Sequence, residues 1–214
     1  MGWMKSLEAA RDRAEEQLRA YTDPSGPYAF RTYDVSPLNT TDHLRPEDIL
    51  AANLLSLTLK WHHVVPLYAA GEAPPQRLRT ALDKALVAMR NAPAFEEIDS
   101  EEQLREVFEP LAEANRATQQ VTGWTPVTVS KVLHRFAPHA VPIVDSRVRA
   151  FYGVRAGQEA ELRSRQWRDI RQNLSWLEQL AERYPRSDGG VTSVLRIADI
   201  LIWTPDGESE SRAI

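Results

Sequence analysis

The sequence predicts an all-α protein, and three observations lead to this expectation. Apolar residues recur at intervals of three and four along most of the chain, which is the spacing of a helix with one buried face. The alternation of strands and helices that marks parallel βαβ units is missing. Prolines, glycines and capping residues divide the chain into segments of ordinary helix length. We expect one helical domain over residues 1–204, with at most a minor short strand, and a flexible tail at 205–214.

The first 60 residues predict two helices and one ambiguous segment. Residues 4–21 form an amphipathic helix, which the breaker cluster at 22–27 (TDPSGP) ends. Residues 28–35 are rich in aromatic and β-branched side chains and form either a short strand or an extended arm. A proline opens the next helix, at 46–60.

Four more helical segments follow from the same reasoning. Two prolines open a helix at 74–91, and Ser100 with Gln103 forms a capping box at the start of another. Residues 160–183 carry one apolar stripe and are expected to form a single long helix. The last helix, at 191–203, is apolar on most sides and should therefore be buried.

The most informative segment is 121–153, VTGWTPVTVSKVLHRFAPHAVPIVDSRVRAFYG. Gly123 permits a tight turn, and Pro126 suits the first turn of the helix that follows. Prolines further along prevent a long helix, so the chain re-enters as the apolar connector 141–144. Asp145 then stands where the N-cap of a new helix should be.

Composition excludes several classes of function. The 214 residues include no cysteine, which excludes disulfides, zinc sites with thiolate ligands, cysteine nucleophiles and cysteine-bound iron–sulfur clusters. His62 and His63 are adjacent, so their side chains diverge, and no partner follows at ligand spacing. No glycine-rich phosphate-binding loop is present. We expect neither a metal nor a cofactor, no membrane segment, and a cytoplasmic location, because the N-terminal residues have no apolar signal core.

The formal net charge of −4 conceals a local excess of positive charge. Residues 121–171 contain nine Lys and Arg against four Asp and Glu. Such a segment suits a nucleic-acid backbone. It is equally consistent with a solvated basic surface that acidic parts of the same fold neutralise.

The layout of 121–153 resembles that of the helix-hairpin-helix DNA glycosylases. In that family a leucine-proline-glycine-x-glycine hairpin leads into a helix, and further along a valine-aspartate pair begins the next helix. Residues 121–125 (VTGWT) fall on the hairpin, and Val144-Asp145 falls on the pair. Thr125 replaces the second glycine of the hairpin. Val127 stands where bifunctional members carry a lysine, and valine cannot form a Schiff base.

The resemblance implies a role for each matching residue. Asp145 would be the catalytic carboxylate of a monofunctional enzyme that hydrolyses the N-glycosidic bond of a flipped or modified base. From the residues alone, a plain N-cap is its other interpretation. Several residues of the same segment would contact nucleic acid: Gly123, Trp124, Thr125, Lys131, Arg135, Arg147 and Arg149. Trp124 is equally explained as part of the core, and Lys131 as a solvated helix lysine.

Two other functions remain open from the sequence: a non-catalytic nucleic-acid-binding protein on the same fold, and a regulatory or protein-interaction domain. The ligand is DNA or another nucleobase-containing molecule on the first two interpretations. The residues indicate no particular oligomeric state.

A second resemblance extends over most of the chain. The motifs that carry it are Tyr33-Asp34, residues 48–51 (DILA), 130–133 (SKVL), 142–145 (PIVD) and 193–203 (SVLRIADILIW). Together they are similar to an uncharacterised, mainly actinobacterial domain family. That resemblance implies a single domain and no particular activity.

Overall fold

A computed structural model describes residues 5–26, 28, 30–34, 40–71, 73–186 and 188–204. Among these residues every regular element is a helix and none lies in a strand, so the expected all-α class is confirmed. No helix in the described part of the chain is long and apolar enough to span a lipid bilayer. The tail expected at 205–214 lies outside the described residues.

Short helices with tight connections make up the first third of the chain. The α-helices are, in order, α1 (Ala14–Thr22), α2 (Phe30–Tyr33), α3 (Pro46–Ala51) and α4 (Trp61–Val64). Turns of 3₁₀ helix at Leu7–Arg13, Ala52–Leu55 and Val65–Tyr68 precede α1 and follow α3 and α4, respectively. The helix expected at 4–21 therefore begins as a 3₁₀ turn, with Ser6 as its N-cap.

Two expectations for this region are wrong. Within the segment 28–35, expected to be a strand or arm, the described residues 30–33 form the helical turn α2 instead, and the Tyr33 hydroxyl donates a buried hydrogen bond to the Lys131 carbonyl at 2.9 Å. The helix expected at 46–60 ends early, because Ser56 has a φ of 61° and an α-helix cannot continue through that conformation. The side-chain amide of Asn53 binds both backbone groups of Leu59 at 2.9 Å, which fixes a compact loop.

Helices of 7 to 17 residues form most of the rest of the described chain. They are α5 (Pro74–Arg90), α6 (Glu101–Val107), α7 (Glu109–Ala117), α8 (Pro126–His134), α9 (Ser146–Tyr152), α10 (Glu159–Gln172), α11 (Leu174–Arg183) and α12 (Val194–Trp203). The single helix expected at 160–183 is two helices that meet at Asn173. There the side-chain amide donates to the Asp169 carbonyl at 2.8 Å and competes with the regular backbone pattern.

The last helix lies in the middle of the core. Residues 194–201 of α12 are all buried, which confirms the expectation from its apolar composition. It packs against α1, α9 and α11, whereas α5 packs against α7 and α8. Each fully buried Leu or Ile contributes ~1.5–3 kcal/mol relative to exposure, so this arrangement fixes the positions of α8, α9 and α12. The candidate site lies among these three helices.

Candidate functional site

The hairpin before α8 has the geometry that the sequence predicts. Gly123 adopts a φ of 81°, and a Cβ atom added there would lie 2.6 Å from the His63 ring, so only glycine fits. The buried Trp124 donates its indole N–H to the His63 carbonyl at 2.9 Å. Thr125 caps α8, since its hydroxyl oxygen accepts from the Thr128 N–H at 3.3 Å. The hairpin therefore packs against α4, and α8 begins directly after it.

Asp145 is the N-cap of α9, as predicted. Its Oδ1 accepts hydrogen bonds from the backbone N–H groups of Arg147 and Val148 at 3.0 and 3.1 Å. The residue is only 7% exposed. Its other oxygen, Oδ2, lies 3.4 Å from the Lys131 ammonium nitrogen. The carboxylate is thus held in one orientation, with one oxygen on the helix and the other toward Lys131.

Lys131 lies inside the fold rather than on a solvated face of α8. It is buried, and its Nζ donates to the Leu55 carbonyl at 2.8 Å. The loop fixed by Asn53 presents that carbonyl, and Ser56 follows it in the left-handed conformation. Strained backbone of this kind is concentrated at functional sites. The interpretation of Lys131 as a solvated helix lysine is therefore wrong.

Asp145 and Lys131 belong to a cavity of about 110 Å³. It is lined by Tyr21, Tyr28, Leu54, Leu55, Ser56, Lys131, Ile143, Asp145, Asp199 and Trp203. Leu54 is 42% exposed and lies at the rim, whereas Ile143 and the charged residues are buried at the closed end. The cavity therefore combines apolar and aromatic lining residues with a few charged groups, as ligand sites generally do.

Asp199, on α12, supplies the third charged group of the cavity. Burial raises the pKa of its carboxyl to about 6; the Arg196 guanidinium opposes this rise in pKa, and the Asp145 carboxylate adds to it. Its Oδ2 accepts from Arg196 Nη1 at 2.5 Å. The same guanidinium binds both carboxylate oxygens of Asp34 and the Tyr21 hydroxyl. These contacts hold Arg196 in place, and Arg196 in turn holds Asp199.

Aromatic rings form one wall of the cavity. The rings of Tyr21 and Tyr28 stack with centroids 5.0 Å apart, and Trp203 meets Tyr28 edge to face at 5.8 Å. The Arg147 guanidinium lies 4.5 Å from the centre of the Trp203 ring, and it donates to the Trp203 carbonyl at 2.5 Å. A flat, conjugated ligand is the kind of molecule that such a wall accommodates.

The structure brings some of the predicted residues together and separates others. Asp145 and Lys131 share the cavity, and Arg147 adjoins it through Trp203. Arg149 donates to the Val144 carbonyl at 3.3 Å beside the start of α9. Gly123 and Thr125 are exposed on the hairpin, whereas Arg135 is buried and lines a different, smaller cavity. The contacts of these residues with nucleic acid stay a prediction.

Sequence reasoning missed the aromatic wall. Tyr21, Tyr28 and Trp203 are far apart in the chain, and no local pattern connects them. Asp199 both lines the cavity and accepts a hydrogen bond from the buried Arg196. One signal was available: Arg196 and Asp199, three residues apart, are the charged residues of an otherwise apolar helix. Buried charges of that kind need partners, and the partners mark the site.

No cluster of three or more His, Cys, Asp or Glu side chains suited to a metal ion occurs among the described residues. The rings of His62 and His63 contact one another, with centroids 4.1 Å apart, so the expectation that these two side chains diverge is wrong.

Comparison with known protein families gives a match over almost the whole described chain. A family model described as a family of unknown function (DUF6308) matches residues 14–206, which includes α1 through α12. The chain belongs to this family. No curated protein and no solved structure matches the chain. The resemblance to an uncharacterised domain family is therefore confirmed, and the resemblance to glycosylases remains an expectation from residues 121–153.

Proposed function

We propose that the protein hydrolyses an N-glycosidic bond, with the departing base held in the cavity among α8, α9 and α12. One observation carries the proposal. The Asp145 carboxylate is buried in a cavity with an aromatic wall, and two backbone N–H groups hold one of its oxygens. This is the residue type, and the position at a helix start, that the resemblance to glycosylases implies.

The chemistry follows from that geometry. As the bond between the sugar carbon and the base nitrogen breaks, its electron pair goes to the base and positive charge develops on the sugar. The Asp145 carboxylate stabilises this charge and accepts a proton from the water whose oxygen bonds to the same carbon. Two backbone N–H groups at the start of α9 donate to one oxygen of this carboxylate, and the Lys131 ammonium lies 3.4 Å from the other.

The reaction is monofunctional in this proposal. Val127 has no nucleophile, and Lys131 donates to the Leu55 carbonyl and faces Asp145. These two contacts engage the Lys131 nitrogen, so in this proposal it does not attack the sugar. Lys131 therefore orients Asp145, and the products are a free base and an unbroken abasic strand.

DNA is the macromolecular substrate that we propose. The exposed hairpin residues Gly123 and Thr125 and the guanidinium of Arg147 beside the cavity are suited to phosphate contacts. A base would rotate out of the helix to enter the cavity. A non-catalytic nucleic-acid-binding protein would share this surface and would not release a base.

Replacement of the carboxylate tests the mechanism. In Asp145→Asn the side-chain oxygen still caps α9, so the fold should persist while base release falls by at least about 100-fold, because one charged group that acts in the transition state is lost. Free base is measured by mass spectrometry after incubation with oligonucleotides that carry damaged bases. Unchanged release by Asp145→Asn would place the chemistry elsewhere.

Borohydride trapping tests the monofunctional route separately. Wild type should give no covalent adduct, since only an imine between an amine and the sugar is trapped. An adduct that survives in Asp145→Asn and disappears in Lys131→Gln would show that Lys131 is the nucleophile.

A further inference from the structure

We infer that the cavity receives a base with a single six-membered ring and excludes bases with two fused rings, and that the Asp199 carboxyl contacts the polar edge of that ring. This inference rests on the proposed function and specifies its substrate class as pyrimidine-type bases. It follows from the size of the cavity, from the hydrogen bonds that hold the residues of its closed end in place, and from the polar groups at that end.

Size is the first argument. A buried protein cavity of about 150 Å³ takes up benzene, a single six-membered ring. The cavity at Asp145 measures about 110 Å³ and opens at the rim beside Leu54, so one ring can fill the closed end and extend slightly beyond it. A purine adds a second fused ring, and because 110 Å³ is already less than the ~150 Å³ that holds one ring, we expect the second ring to lie outside the closed end.

The closed end cannot widen at low cost. Lys131 is held by the Leu55 carbonyl, and the two hydrogen bonds between Asn53 and Leu59 hold that loop in turn. Asp199 is held by Arg196, a buried guanidinium that is also bound to Asp34 and Tyr21. Movement of either residue would leave a buried charge with fewer partners, which is energetically unfavourable.

The polar edge of the ring has a partner at this end. Oδ2 of Asp199 is bound to Arg196, and within the described residues Oδ1 has no hydrogen-bond partner. Because the pKa of the carboxyl is raised to about 6, both its acid and its carboxylate forms are present near neutral pH. A carboxyl in these two forms accepts from a ring N–H or donates to a ring carbonyl or nitrogen, and a pyrimidine presents such groups side by side.

The test compares base release from single-stranded oligonucleotides of one sequence that carry uracil, 5-hydroxyuracil, hypoxanthine or 8-oxoguanine. The full chain should release the two pyrimidines at least about tenfold faster than the two purines, with Asp145→Asn as the background. Purine release at an equal or higher rate, still dependent on Asp145, would overturn the inference and leave the proposed function standing.

Absence of release from every oligonucleotide would overturn the proposed function and not yet the inference. Binding then decides: free uracil and free hypoxanthine are titrated into the protein by calorimetry. Uracil should bind at least about tenfold more tightly than hypoxanthine, and equal binding, or none, would overturn the inference.

A variant with a wider cavity tests whether the aromatic wall selects bases by size. Tyr28→Ala removes a ring from the wall of the cavity and should reduce the preference for pyrimidines over purines by about tenfold. Tyr68→Ala is the control, because Tyr68 binds the Leu44 carbonyl outside the cavity and should leave the preference unchanged. If both variants shift the preference equally, or neither does, the wall does not select by size.

Discussion

At the scale of single residues, the surroundings of Asp199 in the cavity raise the pKa of its carboxyl. Burial disfavours its carboxylate form, and the nearby Asp145 carboxylate disfavours it further. Arg196 and Lys131 act in the opposite direction but do not cancel burial, so the pKa rises from 3.8 to about 6. The folded protein therefore binds the Asp199 proton more tightly than the unfolded chain does.

The sign of the resulting pH dependence follows from linkage. Asp199 makes the fold more stable below about pH 4, where it is protonated in both the folded and the unfolded state, than at neutral pH, and this stability is lost as the pH rises through about 6. The difference in unfolding free energy between wild type and Asp199→Asn should fall by on the order of 2–3 kcal/mol between pH 4 and pH 7. Urea unfolding of both proteins at several pH values measures it. A difference that is constant over this range would show that Asp199 titrates normally.

At the scale of single elements, the hairpin before α8 depends on one glycine. Gly123 combines a φ of 81° with a backbone that lies against the His63 ring. Gly153, at the end of α9, has a φ of 62° and no atom within 4 Å of an added Cβ. The two glycines therefore share the backbone requirement, and only Gly123 has the close contact.

Paired alanine substitutions separate these two effects. Gly153→Ala should destabilise the fold by ~1–2 kcal/mol, the cost of a side chain in the left-handed region. Gly123→Ala should cost more, because its Cβ must also displace the His63 ring and thereby disturb the contact between the hairpin and α4. Chemical unfolding of the two variants against wild type gives the difference. Equal losses would show that the His63 ring moves aside freely.

Elements that are defined by local chemistry could be predicted from the sequence. Pro74 opens α5, Ser100 caps α6 and Asp145 caps α9, because capping and proline effects act within one turn. The breaks at Ser56 and Asn173 could not be predicted, since each depends on side-chain bonds that compete with the helix. Of the site, the sequence predicted Asp145, whereas the aromatic wall requires the packing of α1 against α12.

At the scale of the whole molecule, the balance of charge is uneven. The chain has a formal net charge of −4, yet residues 121–171 carry an excess of Lys and Arg. Several of these cations are already engaged within the fold: Lys131 faces Asp145, and Arg168 pairs with Glu101. Arg147 differs from them, because it is exposed and the described contacts of its side chain are with Trp203, so its guanidinium faces no carboxylate among them.

Salt dependence shows whether Arg147 binds the nucleic-acid backbone. A protein that neutralises phosphates releases counterions, and the slope of log K against log salt falls by ~0.7–0.9 for each phosphate that is no longer neutralised. Arg147→Gln should therefore weaken oligonucleotide binding and flatten this slope by about that amount. Arg168→Gln, which removes a cation of the same segment outside the cavity, should leave the slope unchanged. Fluorescence anisotropy between 50 and 200 mM salt measures both. Weaker binding with an unaltered slope in Arg147→Gln would mean that the substitution disturbs Trp203 and that this cation binds no phosphate.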